Sequence, residues 1–427
     1  MTIRLGAIAD DFTGATDLAN NLVRSGMRTT QVIGVPTAGT LKEFESDAVV
    51  VALKTRTAPV ADAVRESVEA AKSLREAGAE QLYFKYCSTF DSTDEGNIGP
   101  VTDALLDLVG ADYTVAAPAF PAVGRTVYQG HLFVGDRLLN ESGMRSHPLT
   151  PMADADLVRV LGRQTIHPVG LIAEATVLAG PEAVADELRR LRRDNGVRIA
   201  VLDAVSDADL VTLGSAVADL PLVTAGSGLA LGLARGWSRR PSCEAQLLPP
   251  ASGHAAVIAG SVSRATNAQV DEFIATGAPA VSLDLDRIAS GVDVVPEVLD
   301  RSSRALGREP VLVYSTRSPA EVKAFQDLVG QQHAGELIES ALARIAVGLV
   351  DLGVGALVVA GGETSGAVVH ALAVDSLQIG AQIDPGVPWC ATRRSGRTLH
   401  LALKSGNFGG ADFFTRAFTQ LDRKADT

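Results

Sequence analysis

The sequence predicts an α/β protein of two domains, each a largely parallel sheet flanked by helices. Three observations carry this expectation. Short apolar runs alternate with segments of helical period along most of the chain. Its 427 residues exceed what one hydrophobic core usually fills. A polar, Pro-rich stretch without periodicity, Ser238-Arg239-Arg240-Pro241-Ser242 through Leu248-Pro249-Pro250-Ala251-Ser252-Gly253, interrupts the rhythm. The expected division is a domain over 1–238, a linker over 239–254 and a domain over 255–427.

The opening strand, Ile3 to Ala9, stops at Asp10-Asp11 and a Thr-Gly turn, and Ala15, Leu18, Ala19, Leu22 and Val23 then recur at helical spacing. Strands Thr30–Val35 and Ala48–Leu53 follow. A helix from Val60 to Ala77 is expected to bury Ala61, Val64, Val68, Ala71 and Leu74. Strand Gln81–Tyr86, a helix begun by Pro100, and strand Tyr113–Ala117 complete this run. Between Ala119 and Met152 the pattern breaks: Pro118, Pro121, Pro148 and Pro151 punctuate a segment with a hairpin expected from Thr126–Phe133 and Arg137–Asn140. Excursions of this length usually form lids, binding loops or interfaces. The alternation resumes with helix Ala155–Arg163, strand Val169–Ala173, helix Pro181–Asp194, strand Arg198–Asp203, helix Asp207–Ala218 and strand Leu220–Thr224. Ala225-Gly226-Ser227-Gly228 opens a small-residue helix to Trp237.

The second half reads as strand Ala255–Ala259, helix Ala265–Thr276, strand Ala280–Leu285, helix Pro296–Ala305 and strand Val311–Tyr314. Helices Pro319–Gln331 and Gly335–Leu352 precede strand Ala356–Ala360, helix Ser365–Val374 and strand Ser376–Ile383. A hairpin pairs Cys390–Arg394 with Leu399–Lys404 through Ser395-Gly396, and a closing helix starts near Ala411.

Composition excludes several classes. A net charge of −12 lacks the basic footprint that nucleic acid or an anionic membrane surface requires. The three cysteines, Cys87, Cys243 and Cys390, have neither disulfide-framework nor zinc-site spacing. With no signal-peptide pattern and no run of 18 apolar residues, a cytoplasmic protein is expected. A homo-oligomer is compatible with the sequence.

Candidate chemistry gathers at strand ends. Asp10 and Asp11 sit in a strand-to-helix crossover, where ligands of open α/β sheets bind, although one Asp there would also serve as a plain helix cap. Lys54-Thr55-Arg56-Thr57 and Lys85-Tyr86-Cys87-Ser88-Thr89-Phe90-Asp91-Ser92-Thr93 follow two further strands. Cations and hydroxyls beside the Asp pair suit a small polyhydroxy acid, the alternative being solvated loop charges. Cys87 has no identifiable base beside it and is assigned a lining role. Three Gly-rich turns leave strands of the second half: Ala259-Gly260-Ser261-Val262-Ser263, Gly361-Gly362-Glu363-Thr364-Ser365-Gly366 and Lys404-Ser405-Gly406-Asn407-Phe408-Gly409-Gly410. Each alone is more often only a turn; three together suggest a polyphosphate, because free N–H groups at helix starts form anion-binding concavities. Neither GxxxxGK[ST] nor GxGxxG occurs, and Gly226–Gly232 is expected to serve close helix–sheet packing.

Ala9-Asp10-Asp11-Phe12-Thr13-Gly14-Ala15, Lys85 to Thr93 with Gly96-Asn97, the Gly260 turn and Gly361 to Gly366 together resemble the four-carbon acid sugar kinase family over nearly the whole chain. In that family the N-terminal domain binds the sugar acid, the C-terminal domain binds ATP, and the site lies between them. Cys87 to Thr93, Pro118-Ala119-Phe120-Pro121, Tyr128-Gln129-Gly130 and His147 to Met152 look like the branch acting on 3-oxo-tetronates. The threonate and erythronate kinases tend to carry Lys-Ile-Asp-Ser-Thr where this chain has Lys85-Tyr86-Cys87-Ser88-Thr89, which disfavours a plain tetronate.

The resemblance implies an ATP-dependent kinase that phosphorylates the 4-hydroxyl of a four-carbon keto sugar acid with Mg²⁺. Catalytic roles fall to Asp10 and Asp11. Substrate contacts fall to Thr13, Gly14, Arg56, Lys85, Tyr86, Cys87 and Ser88, and ATP contacts to Ser261, Gly361, Gly362, Glu363, Thr364 and Gly406. It identifies no metal ligands. The remaining alternatives are a threonate or erythronate kinase, a nicotinamide-dependent hydroxy-acid dehydrogenase and a non-catalytic sugar-acid sensor.

Overall fold

The computed structural model describes residues 3–91, 93–147, 150–236, 243–307, 309–315 and 331–425. Ser92, Pro148, Leu149, Trp237, the Ser238–Ser242 part of the expected linker and, but for Gln331, the expected helix Pro319–Gln331 lie outside the described residues. The chain divides into two compact units, Met1–Gln246 and Leu247–Thr427.

The first unit runs β1 (Leu5–Ala9), α1 (Phe12–Arg24), β2 (Thr29–Ile33), α2 (Ala38–Lys42), β3 (Ala48–Ala52), α3 (Val60–Glu76), β4 (Gln81–Lys85), α4 (Ile98–Val109) and β5 (Thr114–Ala117). A small antiparallel sheet, β6 (Arg125–Tyr128), β7 (His131–Val134) and β8 (Arg137–Leu138), follows. The alternation then resumes as α5 (Leu157–Gln164), β9 (Val169–Ile172), α6 (Glu174–Leu178), α7 (Pro181–Asn195), β10 (Ile199–Leu202), α8 (Asp207–Ala216), β11 (Leu222–Ala225) and α9 (Ala230–Gly236). The main strands pair in parallel in the order β2-β3-β1-β4-β11-β5-β10-β9. β1, β3 and β4 are buried at every residue, as parallel strands covered on both faces are, which explains why β1 and β3 read as unbroken apolar runs.

The second unit contains β12 (His254–Ala259), α10 (Arg264–Ala275), β13 (Ala280–Ser282), α11 (Leu285–Ala289), α12 (Val295–Ala305), β14 (Val311–Tyr314), α13 (Gln331–Asp351), β15 (Val354–Ala360), α14 (Gly362–Ala371), β16 (Ser376–Asp384), β17 (Val387–Arg394), β18 (Arg397–Lys404) and α15 (Phe413–Ala425). Its order is β13-β14-β12-β15-β18-β17-β16, parallel from β13 to β18 and antiparallel through β17 and β16. A core of Val257, Phe273, Leu312, Val358, Trp389, Phe413 and Phe414 packs α10 and α15 onto this sheet.

Several expectations are corrected. The expected strand Thr126–Phe133 is two strands, because Gln129 and Gly130 take φ of 51° and 73° and turn the chain back. α3 buries Ala63, Ser67, Ala70, Ala71 and Leu74, so Ala61 is exposed; the small side chains let the helix approach β1, where a Cβ on Gly6 would lie 3.0 Å from Leu74 Cβ. The strand expected over Ala280–Leu285 ends at Ser282, because Asp284 caps α11 by accepting the Arg287 N–H at 3.1 Å. α2, α6 and α11, five residues each, are too short to show a period. Ser395 and Gly396 turn with φ of 49° and 78°, as the hairpin pattern requires.

Candidate active site

Parallel pairing aligns the carboxyl ends of three neighbouring strands in the first unit. Ala9 is in register with Ala52 of β3 and with Lys85 of β4, so the residues that follow β1 and β3 meet the last residue of β4. The Asp10 N–H donates to the Lys85 carbonyl at 3.0 Å, and the Thr55 and Arg56 N–H groups donate to the Asp10 carbonyl at 2.9 and 3.1 Å. Backbone bonds thus hold the Asp10-Asp11 turn against the Lys54–Thr57 loop. Asn97, buried at the start of α4, donates through Nδ2 to the carbonyls of Thr55, Arg56 and Ala58 at 2.7, 3.3 and 2.9 Å, which fixes that loop from the other side.

The side chains form one charged cluster. Arg56 Nε and Nη2 donate to the two Asp10 oxygens at 3.0 and 2.8 Å, and Nη2 also donates to Asp11 Oδ1 at 2.6 Å. Burial raises the Asp10 carboxyl above its ordinary range, against the opposing pull of Arg56 and Lys85. Asp11 is the N-cap of α1, its Oδ1 accepting the Gly14 N–H at 3.0 Å. The cap and the functional reading therefore coexist in this residue, while Asp10 is 5% exposed and Asp11 is more open. Lys85 is 4% exposed, and a Cβ on Gly14 would collide with its Nζ and with Asp11 Oδ1, so the glycine is what lets the ammonium approach the head of α1. Its Nζ makes no hydrogen bond among the described residues, which leaves a buried cation open to an anionic ligand.

Thr13 is exposed on the first turn of α1, and Ser88 is half-buried beyond β4; neither has a side-chain bond among the described residues. Cys87 bonds Thr89 Oγ1 at 3.0 Å, and burial pushes its thiol up, which suits the lining role and opposes a nucleophilic one. Tyr86 corrects the expectation of a ligand contact through its side chain. Alternation along the chain turns the ring away from the Lys85 side and into the core, where it packs edge-on against Phe84 and Phe90, and its hydroxyl bonds Thr224 Oγ1 at 3.1 Å. Lys54 is exposed.

The second unit repeats the device. Ala259 is in register with Ala360 and Ala360 with Lys404, so the three Gly-rich turns leave adjacent strand ends. The Gly361 N–H donates to the Lys404 carbonyl at 2.9 Å and the Gly260 N–H to the Ala360 carbonyl at 3.0 Å. Gly361 has φ of 134°, open to glycine alone, and no side chain caps α14, so the first-turn N–H groups carried by Gly362, Glu363 and Thr364 face outward from the helix start. A Cβ on Gly406 would collide with Ser261 Oγ, which shows how closely the first and third turns approach. Ser263 caps α10 and donates to the Gly406 carbonyl at 2.6 Å. Gln269 Nε2 donates to the carbonyls of Phe408, Gly409 and Gly410, each at 3.0 Å, as Asn97 pins the loop of the first unit. Glu363 is exposed, and the nearby Glu339 carboxyl is raised by burial and then by Glu363.

Sequence reasoning missed Asn97 and Gln269 as loop clamps, and placed Lys404 at the start of the third Gly-rich turn without giving it a role. Lys404 is 1% exposed and donates through Nζ to Thr266 Oγ1 at 3.0 Å and to the Gly406 carbonyl at 3.1 Å. The available signal was a lysine closing the Leu401-Ala402-Leu403 run of β18, immediately before a Gly-rich turn. In Gly226–Gly232, Gly226 and Gly228 meet the Pro118 and Ala119 carbonyls just beyond β5, whereas Gly232 meets the Leu210 carbonyl and so serves the packing of helix α9 on helix α8. Among the described residues no helix is long and apolar enough to cross a membrane.

Comparison with known proteins agrees with two sites of different chemistry. Residues 5–233 match the model of a sugar-binding N-terminal domain, and residues 256–414 that of a nucleotide-binding C-terminal domain. A 3-oxo-tetronate kinase of Burkholderia multivorans is 58% identical over 425 residues, 99% of this chain and 98% of that protein. Another of that name from Pseudomonas fluorescens is 56% identical over 420 residues, 98% and 97% of the two chains. The crystal structure of a Haemophilus influenzae protein superposes with a TM-score of 0.88 at 43% identity, covering 97% of this chain and 99% of its own.

Proposed function

The chain belongs to the four-carbon acid sugar kinase family, and on that premise we propose that it transfers the γ-phosphoryl group of ATP to the 4-hydroxyl of a 3-oxo-tetronate, giving the 3-oxo-tetronate 4-phosphate and ADP. The single observation that carries the reading is the pair of charge arrangements on separate units. One is an Asp10–Arg56–Asp11 cluster with the unbonded Lys85 ammonium beside it, and the other is three adjoining Gly-rich turns around Ser261.

On the acceptor side, Lys85 neutralises the substrate carboxylate or an adjacent oxygen. Gly14 leaves the room for that approach, and Thr13, Cys87 and Ser88 line the same end of the sheet. Asp10 positions Arg56, and Arg56 in turn holds Asp11, whose carboxylate orients the 4-hydroxyl and takes its proton. The hydroxyl oxygen forms the new bond to Pγ as the bond from Pγ to the β,γ-bridging oxygen breaks, with ADP leaving. On the donor side, the N–H groups at the uncapped head of α14 bind the phosphates, with Ser261, Gly361, Gly362, Glu363, Thr364 and Gly406 at the nucleotide.

The residues fit Mg²⁺ as an ion carried mainly by the nucleotide. Among the described residues no group of three or more metal-ligating side chains is placed to hold one, whereas Mg²⁺ on nucleotides needs only one or two protein carboxylates. Glu363, exposed on the first turn of α14 beside Glu339, supplies one. When bound, the ion neutralises charge developing on the phosphate oxygens.

A coupled ADP-release assay across 3-oxo-tetronates and plain tetronates of both configurations tests this function. Turnover with a 3-oxo-tetronate well above that with threonate or erythronate is the expected result. ADP release that is independent of every sugar acid would overturn it.

A further inference from the structure

We propose that Lys404 is the positioning cation of the nucleotide site: it ties the three Gly-rich turns together, and its charge is compensated by the nucleotide phosphates. The inference rests on the nucleotide reading of the second unit and goes beyond the residues assigned there.

Lys404 is bonded to each of the adjoining segments. Its carbonyl accepts the Gly361 N–H at 2.9 Å, which anchors the turn into α14. Its Nζ donates to Thr266 Oγ1 in α10 at 3.0 Å and to the Gly406 carbonyl at 3.1 Å. Thr266 Oγ1 and Ser263 Oγ also donate to that same carbonyl, at 2.8 and 2.6 Å. An ammonium has three N–H donors; two are spent here on neutral oxygens, and the third has no acceptor among the described residues.

No carboxylate pairs with it among the described residues. Burial lowers its pKa to about 8; the charged groups on the surrounding elements are Arg264 on α10, Glu363 on α14, and Asp384 and Arg416 beside the Gly406 turn, and its two bonds go to Thr266 and Gly406 instead. A buried, unpaired cation is costly in the free protein. It lies where the three turns meet, beside the uncapped head of α14, whose first-turn N–H groups suit an anion, so a bound polyphosphate supplies the missing negative charge. Two consequences follow. Nucleotide binding raises the Lys404 pKa, and affinity is greatest where the lysine is already protonated, below about 8.

Calorimetric titration of the full chain with ADP between pH 7.5 and 9.5 reads this directly, because the phosphates are already fully ionised there. Wild-type affinity is expected to fall by up to about tenfold per pH unit above pH 8. Lys404→Met should bind roughly 10- to 100-fold more weakly at pH 7.5 with a flat profile. Without nucleotide it should melt no lower than wild type, because a buried charge has been removed. A Lys404→Met variant that binds ADP like wild type, with the same profile, overturns the proposal while leaving the nucleotide site standing. A variant that melts lower yet binds ADP normally assigns Lys404 a purely structural part and overturns it equally. Should the variant fail to fold, the wild-type profile decides, and an affinity constant from pH 7.5 to 9.5 overturns the proposal. Absence of ADP binding by the wild type removes the nucleotide reading itself.

Discussion

Arg56 grips both carboxylate oxygens of Asp10, at 3.0 and 2.8 Å, in a pair whose carboxylate side chain is only 7% exposed. Such a fork fixes the guanidinium in plane and direction, so its remaining reach, to Asp11 at 2.6 Å, is fixed as well. Asp10→Asn takes from Arg56 its buried bidentate partner and leaves it only the half-exposed Asp11 carboxylate. The expected outcome is a loss of about 1.5–3 kcal/mol in stability by urea unfolding and a fall of at least about tenfold in kcat, because the direction of Arg56 towards Asp11 is no longer fixed.

Asp11→Asn separates cap from chemistry. Asn caps a helix about as well as Asp, so the melting temperature should stay near that of wild type. Loss of the proton acceptor should cost about 10²- to 10⁴-fold in kcat while ADP affinity is kept. Steady-state kinetics beside ADP titration check this, and retained turnover would move the base elsewhere.

Asn97→Ala removes three hydrogen bonds to the Thr55–Ala58 loop without touching any charged side chain of the site. Stability should fall by about 1–3 kcal/mol, since carbonyls lose a buried donor. KM for the sugar acid should rise as Arg56 loosens, with the KM for ATP little changed.

Two glycines of one motif should respond oppositely. Gly361→Ala meets both a φ of 134° and Thr364 Oγ1 at 2.8 Å, so it should abolish measurable ADP binding. Gly366 stands in the interior of α14 with nothing within 4 Å of an added Cβ, and Gly366→Ala should stabilise by about 0.5–1 kcal/mol with turnover retained. Thermal melts and ADP titrations distinguish them.

Cys87→Ala should keep kcat within about tenfold of wild type, and the native thiol should alkylate slowly at pH 7–8, since burial holds it protonated. Rapid alkylation that abolishes activity would restore a catalytic role for it.

The sequence by itself determined what is local. Apolar runs marked the parallel strands because both faces of such strands are covered. Asp10-Asp11 and the Gly-rich turns were legible because strand ends and turns impose their own residue chemistry. The tertiary structure alone decided which strand ends are neighbours, and thereby which charges meet. Arg56 is separated by more than forty residues from the Asp pair it grips, and Lys404 by well over a hundred from Thr266. Tyr86 lies one residue beyond Lys85 yet points into the core, and α3 turns Ala61 outward because Ala63, Ser67 and Ala70 allow the closer approach to β1. Pairing across the sheet and burial beneath it are non-local, and no spacing along the chain encodes them.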